Sequence, residues 1–172
     1  FIYKKATAET VGESRILTDA PAFSNARQPL AQTFAPVSAP ADADFVVIAN
    51  HFKSKGSGSG VDADLGDGQG ASNASRVNQA EALADFSARV QSDAGTDKAF
   101  LVGDFNAYSQ EDPIEVLRDA GYTDLGSTET DEYSYVFGGL SGSLDHVLAS
   151  PAAAEAVTGV DIWNINAGES VG

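Results

Sequence analysis

Short apolar runs separated by turn-forming residues recur along the chain, and they predict buried β-strands. The two clearest runs, 45–49 and 98–102, are each followed directly by polar residues. Weaker runs predict five further strands, at 1–4, 30–34, 133–137, 143–149 and 157–165. The segments between the early runs, 19–29 and 36–44, are predicted to be loops.

Apolar residues recur at nearly helical spacing between 75 and 90, which predicts one long helix that ends near Gly95. A short helix is predicted to begin with Asp112 as its N-cap and Pro113 as its first residue, and to end at Gly121. Segment 56–70 contains six glycines and is predicted to be a mobile loop. Strands and helices alternate in the middle of the chain and strands dominate its end, so the pattern predicts an α/β fold with a mixed sheet.

Composition bounds the class of protein. The 172 residues are 42% hydrophobic, which is enough for one domain spanning 1–172 with a substantial core. The chain has no Cys, which excludes disulfides, zinc thiolate sites and Cys nucleophiles. The formal net charge of −15 argues against a basic groove that binds nucleic acid nonspecifically. This negative charge is compatible with solubility in a saline extracellular environment or with a surface that attracts divalent cations.

The sequence Gly-Asp-Phe-Asn at 103–106 follows the second clear run and is the most informative segment of the chain. Asp104 and Asn106 are two residues apart, so they point the same way if the strand direction persists. A carboxylate beside an amide can hold a hard cation or orient a water molecule. The alternative is a turn in which both residues cap the next element.

Two more polar clusters lie at or near strand ends, where ligands collect in sheets of this class. His51 follows the first clear run beside Lys53 and Lys55, where an imidazole could stabilise a phosphate oxyanion; a strand-end cap is the alternative. Asp145 lies within an apolar run, where a buried carboxylate needs a hydrogen bond or a metal. His146 has the opposite parity, so we expect it to be packed and hydrogen-bonded on the other face of its strand.

In this order and spacing, the three clusters resemble the endonuclease/exonuclease/phosphatase superfamily, which has the DNase I-like fold. The similarity to one branch of it, the secreted bacterial extracellular nucleases, covers nearly the whole chain. It rests on segments 27–34, 50–56, 67–70, 103–108 and 111–113, together with Asn73, Arg76 and 143–145. The resemblance implies a DNase I-like four-layer α/β sandwich with mixed sheets, of which this chain is roughly the second half.

The resemblance also implies roles for individual residues. His51 would stabilise charge on the scissile phosphate, Asp104 would orient or deprotonate the attacking water, and Asn106 would hold the water or the phosphate. Asp145 would orient a second catalytic His. Substrate contacts are expected from a further set, of which the last three are equally well interpreted as solvated surface: Arg27, Asn50, Asn73, Lys53, Lys55 and Arg76. With Asp104 and Asn106 as metal ligands, the cofactor would be Mg²⁺ or Mn²⁺ and the substrate DNA or RNA.

Parts of the family pattern have no counterpart among these residues. The family places an Asn and a metal-binding Glu ahead of the strands seen here, and a Ser-Asp-His beyond the last residue. Both ends of the sequence also stop abruptly, so we expect a piece of a longer chain with little or no activity on its own. We expect the protein to be secreted by a bacterium, to be monomeric and to lack a membrane span.

Two alternatives stay open. The same fold includes phosphoinositide and sphingomyelin phosphodiesterases, which the acidic charge does not exclude. In the Gly-rich segment, the spacing of Asp62, Asp64 and Asp67 does not match an EF-hand. A looser Ca²⁺ site there would suit a non-catalytic acidic surface module.

Overall fold

The structure is a computed structural model that describes residues 1–18, 20–130, 133–137 and 140–164. Its strands are β1 (Ala8–Ile16), β2 (Arg27–Pro36), β3 (Phe45–His51), β4 (Ala99–Asp104), β5 (Thr123–Asp124), β6 (Tyr135–Phe137), β7 (Leu140–Gly142) and β8 (Asp145–Ala149). Its α-helices are α1 (Asn73–Ala94), α2 (Asp112–Asp119), α3 (Leu125–Glu129) and α4 (Pro151–Ala154). Single 3₁₀ turns lie at Pro21–Phe23, Ala41–Ala43 and Gly60–Asp62.

Six strands form one sheet in the order β1-β2-β3-β4-β8-β5, and β6 pairs with β7 in a separate two-stranded antiparallel sheet. β3 and β4 run parallel and are connected through α1, whereas the other described neighbours in the sheet are antiparallel. The predicted mixed α/β sheet is therefore confirmed. Because β3 and β4 are parallel, their carboxyl ends lie side by side at one edge of the sheet.

The two faces of this sheet differ in what covers them. On the covered face, α1 and α2 pack over side chains such as Ile48 of β3 and Leu101 of β4, which are fully buried together with Leu83 and Leu117 of the helices. On the opposite face, within the described residues, α3, α4 and the segment after α4 with Val157 and Val160 pack at the end near Phe100. The rest, which we call the open face, carries half-buried or exposed apolar side chains: Val47, Ala49, Val102 and Val147.

Two strand predictions were wrong. Residues 1–4 are not a strand, and β1 lies further along the chain; as an almost fully exposed edge strand it lacks the apolar alternation that would reveal it. The described part of 157–165 contains no strand, and residue 165 lies outside the described residues. The other predicted strands are confirmed with shifted bounds.

Both predicted helices are confirmed, with one correction. α1 ends at Gly95, whose φ of 67° is the left-handed conformation that ends many helices. The N-cap of α2 is Glu111 rather than Asp112, because the backbone is still extended at Glu111 and turns helical at Asp112. Within the described residues, no helix is both long enough and apolar enough to cross a membrane.

Candidate active site

Four charged or titratable side chains form a row across the sheet. Arg27 of β2 is the register neighbour of His51 of β3, which neighbours Asp104 of β4, which in turn neighbours Asp145 of β8. Cross-strand neighbours share a face, and the alternation of buried positions places this row on the open face. We call these four residues the site row; the structure brings all four together at the carboxyl end of β3 and β4.

His51 lies at the centre of the site row. Its Nε2 is 3.4 Å from Arg27 Nη1 and 3.6 Å from Asp104 Oδ2, and the His51 and Asp104 side chains are 39% and 34% exposed. A guanidinium only donates, so its contact requires a lone pair on Nε2, whereas the carboxylate only accepts and favours a proton there. His51 can therefore serve as an acceptor or as a donor, and solvent can reach it.

The turn at 103–106 combines a catalytic candidate with a structural device. Gly103 has a φ of 129°, and a Cβ added there would lie 2.2 Å from the Asn50 carbonyl oxygen, so only Gly fits. β4 ends at Asp104, and Asn106 adopts a φ of 48°. The strand direction therefore does not persist as the prediction assumed. Phe105, between them, is fully buried in the core on the covered face.

Asp104 and Asn106 nevertheless stay adjacent through a hydrogen bond. The Asn106 backbone N–H donates to Asp104 Oδ1 at 2.8 Å, and Asn106 Nδ2 donates to the Phe52 carbonyl at 3.0 Å. The first bond closes a turn through one oxygen of Asp104, but neither residue caps the next helix, α2, whose N-cap is Glu111. The other oxygen of Asp104, Oδ2, faces His51, and the amide oxygen of Asn106 is the atom of that side chain left to offer a ligand.

Asp145 and His146 point to opposite faces of β8, as the parity predicts. Asp145 is exposed rather than buried, because it is the first residue of β8, and its Oδ2 accepts a hydrogen bond from Ser134 Oγ at 3.0 Å. The expectation of a buried carboxylate was wrong. His146 is buried and contacts Asp124 and the Ala107 carbonyl, so the packed interpretation is confirmed.

Two predicted substrate-binding cations, Arg76 and Lys55, lie in a largely buried cluster. Arg76 is fully buried and donates to the carbonyls of Gln69 and Ala71 at 2.8 Å each, and its pKa is lowered by burial. Lys55 pairs with Glu111 and donates to the Gln69 carbonyl at 3.1 Å. Burial lowers the pKa of Lys55, although the bond to Glu111 opposes the shift. We call Lys55, Arg76 and Glu111 the loop anchor, because they hold the Gly-rich segment against the helices.

The remaining predicted substrate contacts are also engaged in the fold. Asn73 Nδ2 donates to Asp112 Oδ2 at 2.7 Å, and buried Asn50 donates to the Ile48 carbonyl at 2.8 Å. Lys53 is half-buried; its backbone N–H donates to Gln79 Oε1 at 2.8 Å, which fixes the segment after His51. Gln79 is fully buried, and only the tertiary contact reveals its role.

The acidic residues of the Gly-rich segment each satisfy a local donor. Asp62 accepts from the Ser75 N–H and hydroxyl at 2.9 and 2.6 Å, while Asp64 and Asp67 accept from the backbone of Gly66 and Gln69. Within the described residues, no three acidic or His side chains converge to hold a metal ion. The candidate Ca²⁺ site stays a prediction without such a cluster. Asp104 and Asn106 likewise do not complete a metal site by themselves.

The sequence family is decided by a match over most of the chain. Residues 12–166 match the model of the Endonuclease/Exonuclease/phosphatase family. The chain belongs to this family. It is a hydrolase superfamily that includes nucleases, phosphatases and phosphodiesterases and is typically dependent on a divalent metal. No curated protein matches the sequence at a significant level.

Solved structures show the same fold in this family member. The catalytic domain of human Nocturnin with bound sulfate is similar with a TM-score of 0.60 at 16% identity, over 87% of this chain and 50% of that one. Zebrafish (D. rerio) TDP2 complexed with a single-strand DNA product is similar with a TM-score of 0.56 at 15% identity, over 87% of this chain and 56% of that one. The mannosyl-6-phosphatase Bt3783 of Bacteroides thetaiotaomicron is similar with a TM-score of 0.59 at 14% identity, over 87% of this chain and 55% of that one. The chain thus spans about half the length of these structures, and its fold is DNase I-like.

Proposed function

We propose that this chain supplies part of the active site of a metal-dependent nuclease that hydrolyses phosphodiester bonds in DNA or RNA. The observation that carries the proposal is the site row, in which a guanidinium, an imidazole and a carboxylate meet within 3.4 to 3.6 Å on an exposed sheet edge. This combination suits the hydrolysis of a phosphodiester, because the phosphate oxygens are stabilised by cationic or N–H donors and the attacking water needs an acceptor for its proton.

Each member of the site row takes a role that its atoms permit. Arg27 donates to a phosphate oxygen, and protonated His51 donates from Nε2 to the oxygen on which charge develops. Asp104 Oδ2 accepts a proton or a hydrogen bond from the attacking water, and the Asn106 amide oxygen orients that water. Asp145, held by Ser134, is exposed and free to orient an imidazole that these residues do not supply.

We propose that the metal site is complete only in the intact protein. Asp104 and Asn106 offer one carboxylate and one amide oxygen, and the described residues lack a third converging acidic group. We propose that further ligands lie outside 1–172, that the ion is Mg²⁺ or Mn²⁺, and that the chain alone is inactive because cooperating catalytic groups lose most of the rate together. We also propose that 1–172 is part of one domain, and that the intact protein is a monomer secreted by a bacterium.

The similar solved structures do not agree on a substrate class. One similar structure is a complex with a single-strand DNA product, and another is a mannosyl-6-phosphatase. Arg27 beside His51 favours the nuclease, because Arg27 belongs to the segment 27–34 on which the likeness to extracellular nucleases rests. A sphingomyelin or phosphoinositide phosphodiesterase is the alternative outcome of the test.

The test is plasmid nicking by the intact gene product that contains this chain. Asp104→Ala is expected to lower Mg²⁺-dependent nicking by about 10²- to 10⁴-fold, the usual contribution of a positioned acid or base. Asp93→Ala, which removes an exposed carboxylate paired with Arg15, is the control and is expected to leave the rate unchanged. Unchanged nicking by Asp104→Ala would overturn the role of Asp104. Hydrolysis of sphingomyelin without any DNA cleavage would overturn the nuclease.

A further inference from the structure

A buried pair lies directly behind the site row, on the covered face of the sheet. His146 follows Asp145 in β8 and is the register neighbour of Gly103. Its Nδ1 is 3.1 Å from Asp124 Oδ2, and its Nε2 is 2.8 Å from the Ala107 carbonyl oxygen. The two side chains are 1% and 0% exposed, so neither can contact a substrate.

The partners of His146 restrict where the ring can carry hydrogens. The Ala107 carbonyl only accepts, so Nε2 must carry a hydrogen. A neutral imidazole has one N–H, and its bare Nδ1 would then face a carboxylate oxygen, which is a contact between two acceptors. The contact becomes favourable when a proton lies between Nδ1 and Asp124, and an imidazolium paired with a carboxylate provides it.

The surroundings favour placing this proton on the imidazole. Burial raises the pKa of Asp124, but the hydrogen bond and charge of His146, together with hydrogen bonds from Ser127 and Ser109, hold that pKa below its ordinary value. Arg118 of α2 approaches the same carboxylate oxygen at 3.7 Å and adds a second positive charge. The Phe105 ring meets the imidazole edge-on at 5.8 Å. The charged groups that face the ring are thus Asp124 and, beyond it, Arg118.

His146 is connected to the site row in two ways. Ala107 directly follows Asn106, whose backbone N–H holds Asp104 Oδ1, and Asp145 directly precedes His146. We propose that His146 is a positioning residue: as a buried imidazolium clamped by Asp124, it fixes the turn that presents Asp104 and Asn106 to the attacking water. This inference rests on the proposed hydrolytic function for its kinetic consequence, and on the hydrogen-bond geometry for its chemical state.

The chemical state is tested by NMR on the intact protein labelled with ¹⁵N-histidine. At pH 7.5 both ring nitrogens of His146 are expected to carry a proton, and in Asp124→Ala the Nδ1 proton is expected to be lost. The Asn106 amide should also be protected from hydrogen exchange, and His146→Phe should remove that protection. A single ring N–H in the wild type, or unchanged protection in His146→Phe, would overturn the clamp. These readouts hold even if the protein hydrolyses no phosphodiester, which would overturn the proposed function alone.

The positioning role is tested by kinetics on folded protein. His146→Phe is expected to lower kcat by about 10- to 100-fold with KM within about twofold, because Asp104 is misplaced while Arg27 still binds phosphate. His146→Gln, which can still donate to Ala107, should recover part of the loss. The control is Tyr122→Phe, which removes a buried hydrogen bond to Ser87 elsewhere in the core and should lower stability but not kcat. If His146→Phe keeps the kcat of Tyr122→Phe, His146 is only structural and the proposal fails.

Discussion

The site row and the loop anchor each combine a guanidinium, a second basic side chain and at least one carboxylate, yet the two groups differ in burial. Both place cationic side chains beside a carboxylate, and the sequence predicted phosphate contacts for cations in both. In the site row, His51 and Asp104 keep 39% and 34% of their side-chain surface exposed. In the loop anchor, Lys55 and Glu111 keep 24% and 7%, and Arg76 keeps none.

This difference in burial distinguishes cations that can bind a phosphate from cations that stabilise the fold. An exposed cation can exchange water for a phosphate oxygen, whereas a buried one has already exchanged its water for carbonyl and carboxylate partners. Arg76 therefore holds the Gly-rich segment and, through the Lys53 carbonyl at 3.4 Å, the chain that leaves His51. The loop anchor thus supports the Gly-rich segment and the chain that follows His51.

The largest difference in the free energy of unfolding is expected between Arg76→Ala and Arg27→Ala. Arg76→Ala should lower the free energy of unfolding by about 3–5 kcal/mol, because it leaves a cavity and buried carbonyls without donors. Arg27→Ala should change it by about 0.5 kcal/mol or less, because Arg27 is exposed. Urea unfolding at pH 7 measures both. Equal losses would show that burial does not separate the two arginines.

A smaller effect is expected from the ion pairs. Lys55→Met should cost about 2 kcal/mol, below the cost for a fully buried pair, because it leaves Glu111 buried without a counter-charge. Adding Glu111→Gln should restore part of the loss. Arg15→Ala, which breaks the exposed pair with Asp93, should cost about 0.5 kcal/mol or less. Thermal unfolding of the four proteins decides; a larger loss in Arg15→Ala than in Lys55→Met would contradict the comparison.

The smallest effect concerns Asp62, which caps α1 from outside the helix. Its carboxylate accepts from the N–H and hydroxyl of Ser75, and the hydroxyl bond lowers the pKa of Asp62 below its ordinary 3.8. Asp62→Ala should cost about 0.5–1 kcal/mol at pH 7.

A depressed carboxyl pKa stabilises the fold above the unfolded value and loses that stabilisation as pH falls through the folded value. The difference between wild type and Asp62→Ala should therefore shrink below about pH 4. Chemical unfolding between pH 7 and pH 3 measures this trend. A difference that grows on acidification would show that Asp62 does not act as an ionised cap.

The sequence pattern predicted the mixed sheet, the two longer helices and the strand-end residues His51 and Asp104, whereas Arg27 was expected only through the family resemblance. Buried strands such as β3 and β4 carry continuous apolar runs, and a polar residue directly after such a run stands out. β1 was missed because an exposed edge strand carries no apolar alternation, and its pairing with β2 is a tertiary contact. Asp124 and Gln79 gave no signal either, since nothing local distinguishes a buried polar partner from a solvated one.

Local patterns thus determined which side chains stand at strand ends and which face of a strand each occupies, because parity and apolar runs are properties of a few neighbouring residues. Only the tertiary structure decided which charged groups meet water. His51 and Arg27 are neighbours through strand pairing, whereas Arg76 lies beneath the Gly-rich segment. Burial depends on residues far apart in the chain, and burial distinguishes a residue that can bind phosphate from one that holds the fold.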